Sequence, residues 1–348
     1  VPSLRDLLDG LDGALEGYRI AEDGVQEEPI SVAVVQPAAW QAWYAGGWNA
    51  VASPPQWGGQ GLPGALSQCL SEMAMAANLS LSTYVGLTGG VAGTLMRIAP
   101  EAIKTRYVPK LMAGAWSGTM NLTEPHCGTD LKLMRTTATK QPDGSYRITG
   151  TKIFITGGEH DMAENIVHLV LAKVAGEGDG LSAVSLFLVP KFLVKDDGSL
   201  GPRNGVACGG IEDKMGLKGS ATAVLHYEDA WGLRLGPKPK PRTEGEEKRP
   251  RGASRGMAGM FQLMNGARIG VGLQGVALAE VAYQNAVRYA NERLAGRALS
   301  GLLFGVRSWD PVSLVGATAV LGAVATLAAW LPARRVVAVD PREALRAE

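Results

Sequence analysis

Asp143-Gly144-Ser145-Tyr146-Arg147-Ile148-Thr149-Gly150 sets a hairpin-type turn directly against a short run of strand-forming residues. The same pattern recurs on its C-terminal side. Ile166-Val167-His168-Leu169-Val170-Leu171 and Ala183-Val184-Ser185-Leu186-Phe187-Leu188-Val189 are β-rich runs, and Asp197-Gly198 is a second turn signal. Short strands separated by tight turns predict a small antiparallel β domain over residues 119–232.

The flanks read as helix. Residues 1–118 form an expected N-terminal helical domain, opening with Leu4, Leu7, Leu8, Leu11 and Leu15 at helical spacing. A Gly/Pro-rich loop, Ser53 to Pro63, interrupts it. The stretch from Leu66 to Gly93 is apolar and carries one charge, Glu72. Recurring Ser, Thr, Asn and Gln in it favour a buried bundle helix over a membrane span. Ala102 to Leu111 is a short amphipathic helix. Downstream, residues 233–256 read as a linker, since closely spaced prolines remove amide donors and the charges keep the segment solvated. Helix returns over 257–300, with Met264, Ile269, Val271, Leu273, Val276, Leu278, Val281 and Val287 as its apolar face.

Composition bounds the function. Apolar residues make up 46% of the 348, enough for a packed core. Lys and Arg number 34 against 33 acids, a balance that supplies no concentrated positive field for nucleic acid. The cysteines Cys69, Cys127 and Cys208 are odd in number and far apart, which favours free thiols in a reducing compartment. None of His126, His160, His168 and His226 stands in metal-ligand spacing with a cysteine, so no metal site is assigned. The chain starts at Val1 with no basic-apolar leader, and the missing Met suggests a natural start further upstream. The expected location is cytoplasmic.

Four ordered segments carry a resemblance. They are Met120-Asn121-Leu122-Thr123-Glu124-Pro125-His126-Cys127-Gly128-Thr129-Asp130, Gly150 to Gly158, Ile211 to Ser220, and Asn265-Gly266-Ala267-Arg268-Ile269-Gly270 with Asn291-Glu292-Arg293. Together they resemble the flavin-dependent acyl-CoA dehydrogenases. Gly46-Gly47-Trp48-Asn49 and Lys191-Phe192-Leu193-Val194 resemble the longer bacterial branch acting on 3-methylthiopropionyl-CoA and similar short acyl-CoAs. The resemblance implies an α+β fold, FAD as cofactor, an acyl-CoA substrate, an electron-transfer flavoprotein as acceptor, and a homo-oligomer. A flavin needs donors at its pyrimidine oxygens and N5 and an apolar platform against its ring. Leu122 and Thr123 would supply donors, and Phe154, Ile155 and Thr156 a wall and a hydroxyl. Gly128 and Thr129 would approach the pyrophosphate, and Arg293 resembles the arginine that reaches a neighbouring subunit's FAD phosphate.

The family's reaction removes an α-proton while a β-hydride passes to flavin N5, which requires a base. In most members that base is a glutamate late in the C-terminal helical domain. In a minority it directly precedes the arginine matched by Arg268, and here that residue is Ala267, which takes no proton. The resemblance stops near Ser300, so the C-terminal helical domain reads as truncated and the catalytic residue is not identified. Residues 302–348 resemble instead the last span of a macrolide-exporter-type transporter permease. Val312–Leu331 is an uncharged run followed by Arg334 and Arg335, about 30 Å long as a helix and so a candidate membrane contact. Three readings stand at this point: an impaired FAD-dependent acyl-CoA dehydrogenase, a non-catalytic flavin or acyl-CoA-binding fragment, and a membrane-anchored chimera joined near residues 298–302.

Overall fold

A computed structural model describes residues 37–177, 180–236 and 255–292. Contacts divide the chain into a unit Val1–Val281 and a unit Ala282–Glu348, and only 282–292 of the second are described. The N-terminal leucines, the linker at 237–254, and the apolar run 312–331 lie outside the described residues. Among those described, no helix is long and apolar enough to cross a membrane.

Four helices come first: α1 (Pro37–Ala45), α2 (Gly64–Ala77), α3 (Leu79–Ile98) and α4 (Glu101–Met112). The stretch Leu66–Gly93, expected as one buried helix, is divided. Asn78 takes φ −152° and ψ 89°, which breaks the helix, and its Oδ1 accepts from Leu81 N at 3.0 Å. It thus caps α3 with one of the orphan amides satisfied. Of the two halves, only α3 is a core helix: it buries Tyr84, Val91 and Leu95 among others, whereas α2 buries only Ala74. In α4, Glu101 in the first turn and Lys110 in the last follow the order that the helix dipole favours.

Nine strands follow: β1 (Trp116–Asn121), β2 (Thr137–Lys140), β3 (Tyr146–Thr156), β4 (Asn165–Val174), β5 (Val184–Pro190), β6 (Phe192–Val194), β7 (Leu200–Arg203), β8 (Val206–Ile211) and β9 (Thr222–Leu235). Asp143-Gly144 and Asp197-Gly198 close the β2–β3 and β6–β7 hairpins, with Gly144 and Gly198 at φ 86° and 81°. The pairings β4–β2, β2–β3, β3–β9, β9–β5 and β5–β4 form a closed ring, extended by β1 on β4 and β8 on β9. The expectation of a purely antiparallel domain fails at one edge. β1 and β2 both lie parallel to β4, end to end along it. Two strands from before the β3 excursion close the ring on that edge, and the direction of the chain there makes them parallel.

The ring explains the unbroken apolar runs. Val167, Leu169 and Leu171 of β4 pack outward into one cluster with Val91 and Leu95 of α3, Val108 and Leu111 of α4, and Leu186 and Leu188 of β5. Val170, Ala172 and Val174 point inward to a second cluster with Ile148, Phe187, Leu225 and Tyr227. Strands covered on both faces lose the polar alternation of a half-exposed sheet. Each such side chain contributes roughly 1.5–3 kcal/mol of burial.

β1 also faces inward with polar groups. Ser117 Oγ lies 2.8 Å from His160 Nε2, and Thr119 Oγ1 lies 2.7 Å from His168 Nδ1. Asn121 Nδ2 donates to Thr119 Oγ1 at 2.7 Å, and the Tyr227 hydroxyl donates to Asn121 Oδ1 at 3.0 Å. Burial, reinforced by the positive charge of Lys191, pushes both histidines down to about 3, so they are neutral across the physiological range.

The last described helix is α5 (Arg255–Glu292). Its start packs against the body: Met260 and Leu263 are buried, and a Cβ on Gly259 would meet Ile98 Cδ1 at 2.5 Å. Its expected single apolar face is not realised as a buried one. Ile269, Val276 and Val287 lie on one side, Val271 and Leu278 on the opposite side, and all five are exposed.

Candidate functional site

The residues singled out at 122–130 and 150–158 meet at the end of β1 and the middle of β3. Ile153 N donates to Thr123 O at 2.9 Å, which sets the two segments side by side. Beyond β1 the chain makes a tight turn in which Glu124 and Cys127 exchange both backbone hydrogen bonds, at 2.8 and 3.0 Å. Beneath the turn, Lys152 Nζ donates to Leu122 O at 3.0 Å and to Glu124 Oε1 at 2.9 Å. The Glu124 carboxylate also accepts from Arg135 N at 2.7 Å and Thr136 N at 3.1 Å. Both side chains are at most 1% exposed. Burial raises the Glu124 carboxyl, but the Lys152 ammonium and the bonds from Thr136 and Arg135 outweigh it and hold the group below its ordinary value. Burial pushes Lys152 down, with Glu124 offsetting part of that.

Phe154 is the exposed member of the site. Strand alternation places Tyr146, Ile148 and Lys152 on the inward side of β3, which would send Phe154 inward too. It does not go there. The pairing with β9 shifts register between Lys152 and Ile155, Phe154 takes φ 59°, and its ring is 58% exposed. A phenylalanine in the left-handed region beside a bulge is a strained arrangement that clusters at functional positions. The same shift turns Ile155 into the barrel core at 1% exposure. The expectation of the Ile155 side chain as part of an apolar wall is therefore corrected: it is a core residue, and Phe154 is the exposed one of the two.

The hydroxyls of Thr123, Thr129 and Thr156 make no hydrogen bond among the described residues. They are free to serve a bound group. At Gly128 the nearest neighbour of an added Cβ is Thr123 Cγ2 at 3.6 Å, ordinary contact, so nothing among the described residues demands glycine there. Gly157, by contrast, is required by the fold: it takes φ 65°, and a Cβ would sit 3.0 Å from the Tyr84 ring. Gly157 N donates to Ala221 O at 2.7 Å, and Ala221 N donates to the Tyr84 hydroxyl at 2.6 Å. Thr83 and Ser220 share a hydroxyl contact at 2.8 Å. These bonds hold the segment Ile211–Ser220 against α3 beside Thr156. Met215 at the segment's tip is fully exposed.

Next to Leu122 the side chains of Leu122, Leu131, Leu171, Met260, Phe261 and Met264 line a shallow depression too tight to hold a water molecule. Its lining is entirely apolar and offers no carboxylate. Ala267 is half-buried on α5, and Arg268 Nη1 donates to Asn265 Oδ1 at 3.2 Å. Arg293 lies outside the described residues. The three cysteines are free thiols, and no group of three or more potential metal ligands occurs among the described residues.

The reading from sequence missed Lys152, Glu124, Tyr84 and Thr83. A signal for the first existed: a lysine in phase with Tyr146 and Ile148 on an otherwise apolar strand face must find an anion inside. No local signal announces Tyr84, whose partner is far along the chain.

Residues 22–115 match the family model for the acyl-CoA dehydrogenase N-terminal domain, and residues 119–230 match that for the middle domain. The chain is 43% identical over 255 residues to 3-methylmercaptopropionyl-CoA dehydrogenase of Ruegeria pomeroyi, covering 73% of this chain and 41% of the relative. It is 36% identical over 313 residues to the broad-specificity linear acyl-CoA dehydrogenase FadE5 of Mycobacterium tuberculosis, covering 86% and 49%. The chain thus spans less than half the length of either relative. A solved acyl-CoA dehydrogenase from Bacillus anthracis, complexed with FAD, superposes with TM-score 0.62 at 24% identity over 83% of this chain and 42% of the other, which shows a shared fold. The resemblance of 302–348 to a permease span finds no support in these comparisons.

Proposed function

We propose that this chain, which belongs to the acyl-CoA dehydrogenase family through its N-terminal and middle domains, binds FAD along the edge formed by Leu122–Thr123, Gly128–Thr129 and Phe154–Thr156. The observation that carries the reading is Phe154, held outward at φ 59° beside the unengaged Thr123 hydroxyl. Natural chains expose a strained aromatic where it has something to meet. The residues present fit the group: three unengaged hydroxyls offer donors to a polar heterocycle and its phosphates, and the Phe154 ring offers an apolar face. The match to relatives named as acyl-CoA dehydrogenases, one solved with FAD, supports the same assignment.

Bound FAD would supply the acceptor for a hydride from the β-carbon of an acyl-CoA thioester. Thr123 and Thr156 would orient the cofactor by donating hydrogen bonds, and Phe154 would shield it from water on one side. The shallow apolar surface beside Leu122 would offer contact to an uncharged part of the thioester. Proton removal is the step these residues do not provide. Ala267 carries no base, and Glu124 is committed to Lys152. The expected activity is therefore binding of flavin and short acyl-CoA with weak or no dehydrogenation by the chain as given. Arg293 as a phosphate contact across a homo-oligomer, and an electron-transfer flavoprotein as acceptor, belong to the same reading.

The visible spectrum of the purified full chain with added FAD tests it, before and after a short acyl-CoA is added without oxygen. The expected result is a perturbed flavin band that the thioester does not bleach. Absence of bound flavin overturns the site. Rapid bleaching overturns the weak-turnover part and requires a base elsewhere.

A further inference from the structure

The Lys152–Glu124 pair is an expensive feature for a small barrel. Two charges are taken out of water, and replacing such a pair by packed neutral side chains is often neutral or stabilising. A role in stability alone does not account for it. What the pair does geometrically is specific. One ammonium joins the carbonyl that ends β1, Leu122 O at 3.0 Å, to a carboxylate at 2.9 Å, and that carboxylate is closed by Arg135 N and Thr136 N on the chain entering β2. Three segments are tied at one point, and every bond is directional and charge-assisted, which fixes positions more tightly than apolar contact. The residues that follow on each side are the ones facing outward. Thr123 lies between the two tied residues Leu122 and Glu124. Ile153, which bonds Thr123 O, and the displaced Phe154 directly follow Lys152.

We propose that Lys152 and Glu124 are positioning residues that hold Thr123 and Phe154 in register for the cofactor, the pair serving the site rather than the barrel. This rests on the FAD reading above. Removing the ammonium frees Leu122 O and lets the turn drift relative to the bulge. The barrel ring keeps its strand pairings and both apolar clusters, since neither residue contributes to them.

The test uses the full chain with Lys152→Met combined with Glu124→Gln, which keeps the side-chain volumes and, through its one amide oxygen, an acceptor for one of the two amides Arg135 N and Thr136 N. Lys152→Met alone is made as well, as the variant that leaves an unpaired buried carboxylate. Three readouts are taken: thermal unfolding, FAD affinity by flavin fluorescence, and amide exchange resolved by segment. Expected for the double variant are a folded protein with an unfolding temperature modestly below the parent's, since one buried amide loses its acceptor, and FAD binding weakened about tenfold or more. Faster exchange is expected at 122–124 and 153–154, with β4 and β5 unchanged. FAD affinity within twofold of the parent's in a folded double variant overturns the proposal. So does unchanged exchange at those amides, a result that stands even if the parent binds no flavin and the reading above fails. Faster exchange throughout the barrel also overturns it, since the pair would then be holding the fold.

Discussion

The β barrel and helix α5 solve the same problem in opposite ways. In the barrel, nearly every apolar strand residue finds cover from a strand or helix of the same unit, Phe154 and Ile211 being the exposed ones, and the hydrogen-bonding edges of β4 and β9 are taken on both sides. In α5, the large buried apolar side chains are at the start, where Met260 and Leu263 touch the body; farther along, Ala277 is buried as well. Farther on, Ile269 at 66%, Val271 at 62% and Val276 at 55% exposure stand in solvent among the described residues. Composition does not separate the two regions, as both are rich in Val, Leu and Ala. The difference is closure. A ring of strands makes its own inside, whereas a helix has to be given one.

The largest expected effect tests the barrel side of that contrast. Phe187 is fully buried, with its ring 5.0 Å from that of Tyr146. Phe187→Ala should cost about 3–5 kcal/mol in urea unfolding, through lost burial and the cavity left behind. A cost no larger than that of an α5 substitution would break the comparison.

An intermediate effect comes from acid. His168 on β4 and His160 in the connection before it are buried, with their affinities for a proton pushed down to about 3 by burial first and Lys191 second. Around them stand Lys191, Arg203 and Glu159, with Glu159 paired to both cations. In the unfolded chain each histidine binds a proton below about 6.5, but the folded barrel refuses it. Stability is therefore full above that value and falls as the pH drops, by about 1.4 kcal/mol per unit for each histidine. The window between about 6.5 and 4.5 reports the histidines before Glu124, whose carboxyl lies below its ordinary value, begins to take up protons. His168→Leu should roughly halve the slope there, read as urea midpoints against pH. An unchanged slope would mean that His168 is protonated in the folded state.

The smallest effect sharpens the helix side. Ile269→Gln and Val276→Gln should each leave barrel unfolding within about 0.5 kcal/mol, because no apolar contact of the barrel is lost. A loss of 2 kcal/mol or more, roughly what burying such a side chain contributes, would show that this face is covered in solution.

Much of the site was legible in the sequence, and the part that was not has a common cause. The order of segments around Thr123, Phe154 and Arg268, the turns at Gly144 and Gly198, and the core strands are all written in local pattern. Asn78 was legible as well: a capping residue inside an apolar run signals a break, although the run's length masked it. Illegible were the outward turn of Phe154 and the inward turn of Ile155. Alternation predicts the reverse, and only the register shift against β9 decides it. The same holds for the parallel placement of β1 on β4, and for the anchoring of Ala221 by Tyr84 across a separation of 137 residues.

By itself, then, the sequence determined which stretches are strand or helix, where the chain turns, and which polar residues stand near one another along it. Periodicity, proline, glycine and capping chemistry act over a few residues and need no partner to be read. The tertiary structure decided which strands close the ring, which side of a strand is inside, and whether an apolar face is covered. Those outcomes depend on a partner far away in the chain, and a one-residue shift in pairing exchanges core for surface. In this protein that single shift separates Ile155 from Phe154, and with it the barrel core from the proposed cofactor edge.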